Sequence, residues 1–452
     1  MAAIAYSRWF SNGAFSLLNR ISVVFFGFLN LFFMVRMMPK SDTGIWVLFT
    51  SVTAILEMIR NGFIRNPFIT LLVGAEEKDK PSVITSSLAL HCILGVLISI
   101  LLLLGGLPLS GFWHAPGLDR LFFLYSLNSI IFIPFLHFEY LQTAQSNFKA
   151  IFCSNFCRLS VLGFYIMGTY FLNRPPSLPE LAIVQIVATV VGAVIAWYFV
   201  KDLASTFAKK VNWGTVKELF HFGKYTFGTN ISSMFVKSTD SWMIGRFIST
   251  AAVAVYNPAI RIANLVEVPT LAIAHIVFPQ VPQKMKERGK EGVRDIYIKS
   301  VSLILATMIP IIVPLYFYAE EIIGLIFGQE YIESAAILRV TIFYTLIIPF
   351  NRQFGTLMDA LKKPKINFYL LIMVAVLNII FNYIFLTMFG LIGSAYGTLL
   401  SYCIVFILNQ VILYRMYDIN TFKVFEGIIE WYRVGWSIIT TKLKSYSMTR
   451  LN

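Results

Sequence analysis

The sequence predicts an all-α polytopic membrane protein of about twelve transmembrane helices, and three observations carry that prediction. Hydrophobic residues occupy 57% of the 452 positions and charged residues 13%, with a mean hydropathy of +0.72, a balance that excludes a soluble core inside a hydrated shell. Apolar stretches long enough to cross the hydrocarbon core, roughly 20 residues each, recur along nearly the whole chain. Lysine and arginine gather in the short breaks between them, unevenly on the two sides.

The breaks fall at Pro, Gly and charged residues and delimit the spans in order. The first series covers 11–35, 43–73, 83–105, 118–143, 150–172 and 178–200, and the second 218–248, 251–280, 298–318, 335–361, 366–389 and 391–415. The first stretch is long enough to span and lacks a small-residue cleavage site, so it is expected to remain as a helix. With both termini placed in the cytoplasm, the inner connections hold sixteen Lys and Arg and the outer ones five, namely Arg36, Lys40, Arg120, Arg174 and Arg246. The positive-inside rule therefore predicts cytoplasmic termini and an even number of spans.

The net charge of +14 is thus topological, and no nucleic-acid partner is expected. Cys92, Cys153, Cys157 and Cys403 all lie in apolar segments and predict packing thiols, with neither a disulfide framework nor a thiolate metal site. His91, His137 and His275 sit singly on three spans without ligand spacing, so no metal is expected. G-x-x-x-x-G-K-[ST] is absent, which removes that route to ATP hydrolysis.

The two series resemble a duplicated unit. An offset of 210 residues places Arg36 over Arg246, Trp46 over Tyr256, Glu57 over Glu267 and Asn30 over Asp240. The expected organisation is a six-helix bundle at 1–210, a second at 211–416 in the same orientation, and a tail at 417–452. In the tail, Glu426, Glu430 and Arg433 alternate with Ile428, Ile429, Trp431, Trp436 and Ile438, a pattern suited to an amphipathic helix at the membrane interface.

A charge near the bilayer centre costs about 2.5–3.5 kcal/mol even on insertion scales, so such residues face the bundle interior or water. Glu57, Arg60 and Asn61 share one face of the second span. Asn230, Ser233, Lys237 and Asp240 form a stripe on the seventh, and Asn257, Arg261, Asn264 and Glu267 another on the eighth. Arg352 and Asp359 follow on the tenth, and Asn378 and Asn382 on the eleventh. Glu57 with Arg60, and Lys237 with Asp240, are also spaced to neutralise each other within a helix. Arg261 and Arg352 have no carboxylate within four residues.

Arg60, Lys237, Arg261 and Arg352 are accordingly the candidate cationic lining of a substrate cavity, because guanidinium donors match two phosphate oxygens at once. Asn230, Asn257, Asn264, Asn378 and Asn382 are its candidate polar lining. Glu57, Asp240 and Glu267 are candidates for coupling to H+ or Na+, or for balancing the arginines. No other cofactor is expected.

Four segments resemble the polysaccharide-transporter branch of the multidrug, oligosaccharidyl-lipid and polysaccharide (MOP) exporter superfamily, the oligosaccharide flippase family of O-antigen and capsule repeat units. They are 32–48 (FFMVRMMPKSDTGIWVL), 240–279 (DSWMIGRFISTAAVAVYNPAIRIANLVEVPTLAIAHIVFP), 322–338 (IIGLIFGQEYIESAAIL) and 377–402 (LNIIFNYIFLTMFGLIGSAYGTLLSY). Each is weak alone; four in the family's order over about 370 residues are specific. The resemblance implies a MATE-like fold of two six-helix bundles in a bacterial inner membrane. It also implies alternating access, which moves a polyprenyl-diphosphate-linked oligosaccharide outward while the tail stays in lipid. Helix-bending prolines such as Pro258, Pro269, Pro310 and Pro314 suit that motion. Membrane lipids and other polysaccharide-assembly proteins are the expected partners.

Two other functions fit a polytopic chain. A multidrug or cation antiporter of the same superfamily requires an acidic or aromatic cavity, where this sequence carries arginines. A membrane glycosyltransferase or polymerase acting on lipid-linked sugars generally presents a sizeable outer loop, where the longest outer connections here are about a dozen to seventeen residues. The expectation is therefore a transporter and not an enzyme.

Overall fold

The computed structural model describes residues 2–204, 207–208 and 210–449, and side-chain placement except at 2–11, 203–204, 224–234, 236, 275 and 438–449. It is helical with no strand among the described residues. The first six helices are α1 (Ala2–Met37), α2 (Lys40–Gly74), α3 (Lys80–Phe112), α4 (Leu118–Ala144), α5 (Phe148–Phe171) and α6 (Leu178–Ala204). They are followed by α7 (Trp213–Phe247), α8 (Thr250–Val266), α9 (Val268–Phe317), the short α10 (Ala319–Phe327), α11 (Ser334–Ala360), α12 (Pro364–Phe389), α13 (Leu391–Tyr417) and α14 (Phe422–Thr449).

Ten helical stretches among the described residues are long and apolar enough to cross a membrane. One of them, Thr250–Phe317, is 68 residues long and contains a bend at Gly289, where φ is 58° and ψ −139°. It therefore supplies two crossings. α7, 35 residues long, is a further helix of spanning length among the described residues, and the chain is a multi-pass membrane protein. On α3, Leu90, Leu94, Ile98 and Leu102 are buried at four-residue intervals. The opposite side exposes Val96, Leu97, Ile100, Leu103, Leu104 and Leu107. A helix apolar on every side requires protein on one face and lipid on the other.

Boundaries follow local chemistry. Pro39 caps α2 with an extended backbone, the side chain of Asn212 accepts from the first amides of α7, and Pro364 opens α12. The expected span at 251–280 is interrupted at Glu267, just before Pro269 removes a backbone donor. The basic connection after residue 280 stays helical. Its ion pairs Lys284–Glu287 and Arg294–Glu291 are at i,i+3, and Gly289 alone departs from helical dihedrals.

Packing divides the chain into two compact units after Val255, whereas the expected boundary at 210/211 is that of the sequence repeat. In the first unit α7 packs on α2 and α3, α3 and α6 pack on α4, and α1 and α6 pack on α5. Its core joins Ile64, Phe68, Leu94, Phe135, Tyr140 and Leu219. Trp242 of α7 donates to Ser51 of α2 at 2.8 Å, and Trp113 donates to the Trp242 carbonyl at 3.0 Å. In the second unit α11 packs on α9 and α13, α12 on α13, and α14 on α9. Tyr297, Val301, Phe354, Met358, Leu413 and Val424 form its centre.

Candidate functional site

The charges predicted at membrane depth fall into a network inside the first unit, an exposed cation on α7, and two arginines, Arg261 and Arg352, in the second unit. On α2, Glu57 and Arg60 form an ion pair, with the Arg60 side chain fully enclosed and Glu57 12% exposed. Arg60 Nη1 also donates to the Ser129 carbonyl on α4 at 2.9 Å, and the Tyr125 hydroxyl donates to Glu57 at 3.2 Å. A guanidinium removed from water costs several kcal/mol unless its donors are matched; these contacts match Nη1 and Nη2, while Nε has no partner among the described residues. In this conformation Arg60 ties α2 to α4. Asn61, one residue on, accepts from the Tyr140 hydroxyl.

His91 and His137, solitary in sequence, come together with ring centres 5.5 Å apart, both fully buried. No three His, Cys, Asp or Glu among the described residues are grouped to hold a metal ion. Sequence reasoning overlooked Glu139 and Arg158. Glu139 accepts from Asn155 at 3.3 Å, and Arg158 donates to Asn155 at 3.4 Å. The guanidinium carbons of Arg158 and Arg60 each lie 5.3 Å from the ring centre of Phe132, within cation–π range. The signal was present, since Glu139 and Arg158 are charges inside the fourth and fifth predicted spans.

On α7, Lys237 is exposed and Asp240 buried. Lys237 makes no ion pair among the described residues, so the i,i+3 spacing with Asp240 is not used as a salt bridge here. Asn230 lies outside the described side chains.

In the second unit, Arg261 and Asn264 are both exposed, one turn apart on α8, while Asn257 is buried. Arg261 has no acidic partner among the described residues. Arg352 of α11 acquires one from another helix. Its Nη2 lies 3.2 Å from Oε1 of Glu267, with the Arg352 side chain 40% exposed and that of Glu267 7%. Glu267 lies between α8 and α9, as the residue that precedes α9. Glu57 and Glu267, matched by the 210-residue offset, thus both hold an arginine, one from its own helix and one from 85 residues away.

Asn378 and Asn382 are fully buried between α12 and α13. Asn378 donates to Thr398 at 2.9 Å, Ser394 donates to Asn382 at 2.5 Å, and Asn382 donates to the Asn378 carbonyl at 2.9 Å. These amides clamp the hairpin and present no open surface. Gly393 and Gly397 permit the approach. A Cβ at Gly397 would lie 2.7 Å from the Asn382 backbone nitrogen, the small-residue packing by which membrane helices associate. Asn409 of α13 likewise donates to Asn351 of α11 at 2.9 Å, a pair invisible at 58 residues' separation.

The helix order and packing are those of a known transporter fold. The structure superposes on a multidrug resistance MATE family transporter of the MOP superfamily in its inward-facing conformation, with a TM-score of 0.77 at 15% identity over 90% of this chain and 98% of that one. It superposes equally on the lipid II flippase MurJ in an inward closed conformation, with a TM-score of 0.75 at 14% identity over 95% and 92%. The chain therefore shares its fold with both of these transporters. The chain belongs to the polysaccharide biosynthesis protein family, whose profile matches residues 33–336. Among curated relatives, a probable low-salt glycan biosynthesis flippase of Haloferax volcanii is 24% identical over 247 residues, 55% of this chain and 50% of that protein. A putative O-antigen transporter of Shigella flexneri is 28% identical over 239 residues, 51% and 54% of the two chains. The chain spans about half the length of these curated relatives.

Proposed function

We propose that the protein is a flippase that carries a polyprenyl-diphosphate-linked oligosaccharide repeat unit from the cytoplasmic to the outer leaflet of a bacterial plasma membrane by alternating access. The product would serve surface polysaccharide synthesis, as O-antigen, capsule or exopolysaccharide. Family membership supports polysaccharide assembly, and the relatives, a probable flippase and a putative transporter, support translocation over glycosyl transfer. The observation that carries the assignment is Arg261, an exposed residue that has no acidic partner among the described residues and stands one turn from Asn264. A diphosphate satisfies such a group through paired charge-assisted hydrogen bonds, and the amide beside it suits a sugar hydroxyl.

Glu267 then acts as a stand-in for phosphate at Arg352. A carboxylate and a phosphate compete for the same guanidinium, so protonating or displacing Glu267 frees Arg352 for the substrate. Glu57 holds Arg60 in the same manner, and Asp240 completes the carboxylates through which H+ or Na+ would couple to transport. The antiporter reading draws on the MATE-like fold alone, and an unopposed arginine disfavours an organic cation.

Arg261→Ala is expected to abolish surface-glycan export while the protein inserts and accumulates normally. Export at the wild-type level would remove Arg261 from the substrate path.

A further inference from the structure

A second basic site lies away from the arginines discussed above, at the elbow of α9. The chain bends at Gly289, and Gly292 is pressed so closely on the Lys284 carbonyl that a side chain there would collide with it. The two limbs of α9 enclose a cavity of about 320 Å³ whose lining includes Lys284, Arg288, Asp295, Lys299, Ile276 and Trp431.

Trp431 is placed there by the tail. Ser302 donates to the Val424 carbonyl at 2.8 Å, the Tyr432 hydroxyl donates to the Ala306 carbonyl at 3.0 Å, and Gly427 admits Ser302 against α14. Val424 and Ile428 are buried on α9, whereas Phe422, Phe425, Ile429 and Trp436 are exposed. That exposed row of large apolar side chains suits a helix bedded in the membrane surface.

The cavity lining is both charged and apolar. Arg288 reaches Asp295 across the bend at 3.6 Å, and Lys284 pairs with Glu287 at 2.7 Å. Lys299 has no acidic partner among the described residues. The lining holds three cations against one carboxylate, and Ile273, Ile276, Val277 and Leu303 line the same cavity. A soluble anion has no use for the apolar part of that lining, whereas an amphiphile uses both parts.

We propose that the α9 elbow is a binding site for an anionic phospholipid, with the phosphate held at Lys299 and Arg288 and the start of an acyl chain laid along Ile273, Ile276 and Val277 beside Trp431. Basic pockets flanked by spanning helices hold lipid phosphates in this way. The bound lipid fastens α14 to the elbow.

Phosphatidylglycerol binding to the full-length protein in phosphatidylcholine nanodiscs, measured by titration and by native mass spectrometry of retained lipid, tests the site. Lys299→Glu should weaken binding about tenfold or more, Trp431→Ala should shorten retention, and Lys286→Glu, on the same segment outside the cavity, should leave binding unchanged. Inorganic phosphate should not displace the lipid. Unchanged binding in Lys299→Glu, an equal loss in Lys286→Glu, or displacement by inorganic phosphate would each overturn the proposal. The last two would indicate diffuse charge and a soluble-anion site respectively. Size-exclusion profiles identify any variant that misfolds, in which case Lys299→Gln replaces it. The readout is independent of translocation, so its failure leaves the proposed function standing.

Discussion

The pair between Glu267 and Arg352 separates a structural arginine from a substrate-binding one. At 3.2 Å, two unit charges in an effective dielectric of about 20 attract by about 5 kcal/mol before desolvation. Arg352 is 40% exposed and Glu267 7%, so water screens one partner while the other has lost most of its hydration. The net coupling should then be about 1–2 kcal/mol, above the range of exposed pairs. Arg352→Ala strands a buried carboxylate and should cost about 3 kcal/mol. The double variant Glu267→Gln/Arg352→Ala removes the stranded charge and should recover about 1–2 kcal/mol of that loss. Thermal unfolding of the four proteins in one detergent closes the cycle. Single losses that add to within about 0.5 kcal/mol would refute the coupling. The same four proteins test the functional role, because a substrate-binding Arg352 leaves the restabilised double variant inactive, whereas restored transport would confine Arg352 to structure.

Three further expectations follow from the packing and the carboxylates. Asn382→Leu breaks the bond from Ser394 and should lower stability by about 0.5–2 kcal/mol with transport per folded molecule unchanged; a transport defect at normal stability would return Asn382 to the substrate path. Gly397→Leu should cost about 1–3 kcal/mol, because its side chain meets the α12 backbone instead of a movable side chain, and wild-type thermal stability would show that the hairpin spreads at no cost. Glu57→Gln, Asp240→Asn or Glu267→Gln should change how translocation depends on an imposed proton or sodium gradient; flux in reconstituted vesicles that ignores both gradients in every variant and in the wild type rules out coupling through these groups.

Much of the fold is legible in the sequence because lipid imposes a length rule on every span. The fourth span, read as 118–143, is α4 at Leu118–Ala144, and the last, read as 391–415, is α13 at Leu391–Tyr417. Errors arise where helices outlast their apolar run. The segment after residue 280 was read as a loop from its charges, yet Lys and Glu are good helix formers and pair at i,i+3 there. The positions of the membrane charges were equally legible, since each interrupts an apolar stretch.

Their partners were legible only within a helix. Glu57–Arg60 follows from spacing. The Glu267–Arg352 and Asn351–Asn409 contacts depend on helices brought together by tertiary packing, and no periodicity reports that. The same limit applies to Asn378 and Asn382. Sequence places them on one helical face, and only the close approach of α12 and α13 at Gly393 and Gly397 shows that this face is shut.

The central claim is translocation of a lipid-linked oligosaccharide, and its most direct test is reconstitution. Purified protein in vesicles carrying a fluorescent polyprenyl-diphosphate oligosaccharide should render the inner-leaflet pool accessible to a membrane-impermeant quencher, while Arg261→Ala vesicles stay at the protein-free level. Wild-type vesicles in which only the outer-leaflet pool is quenched, as in protein-free controls, would contradict the account.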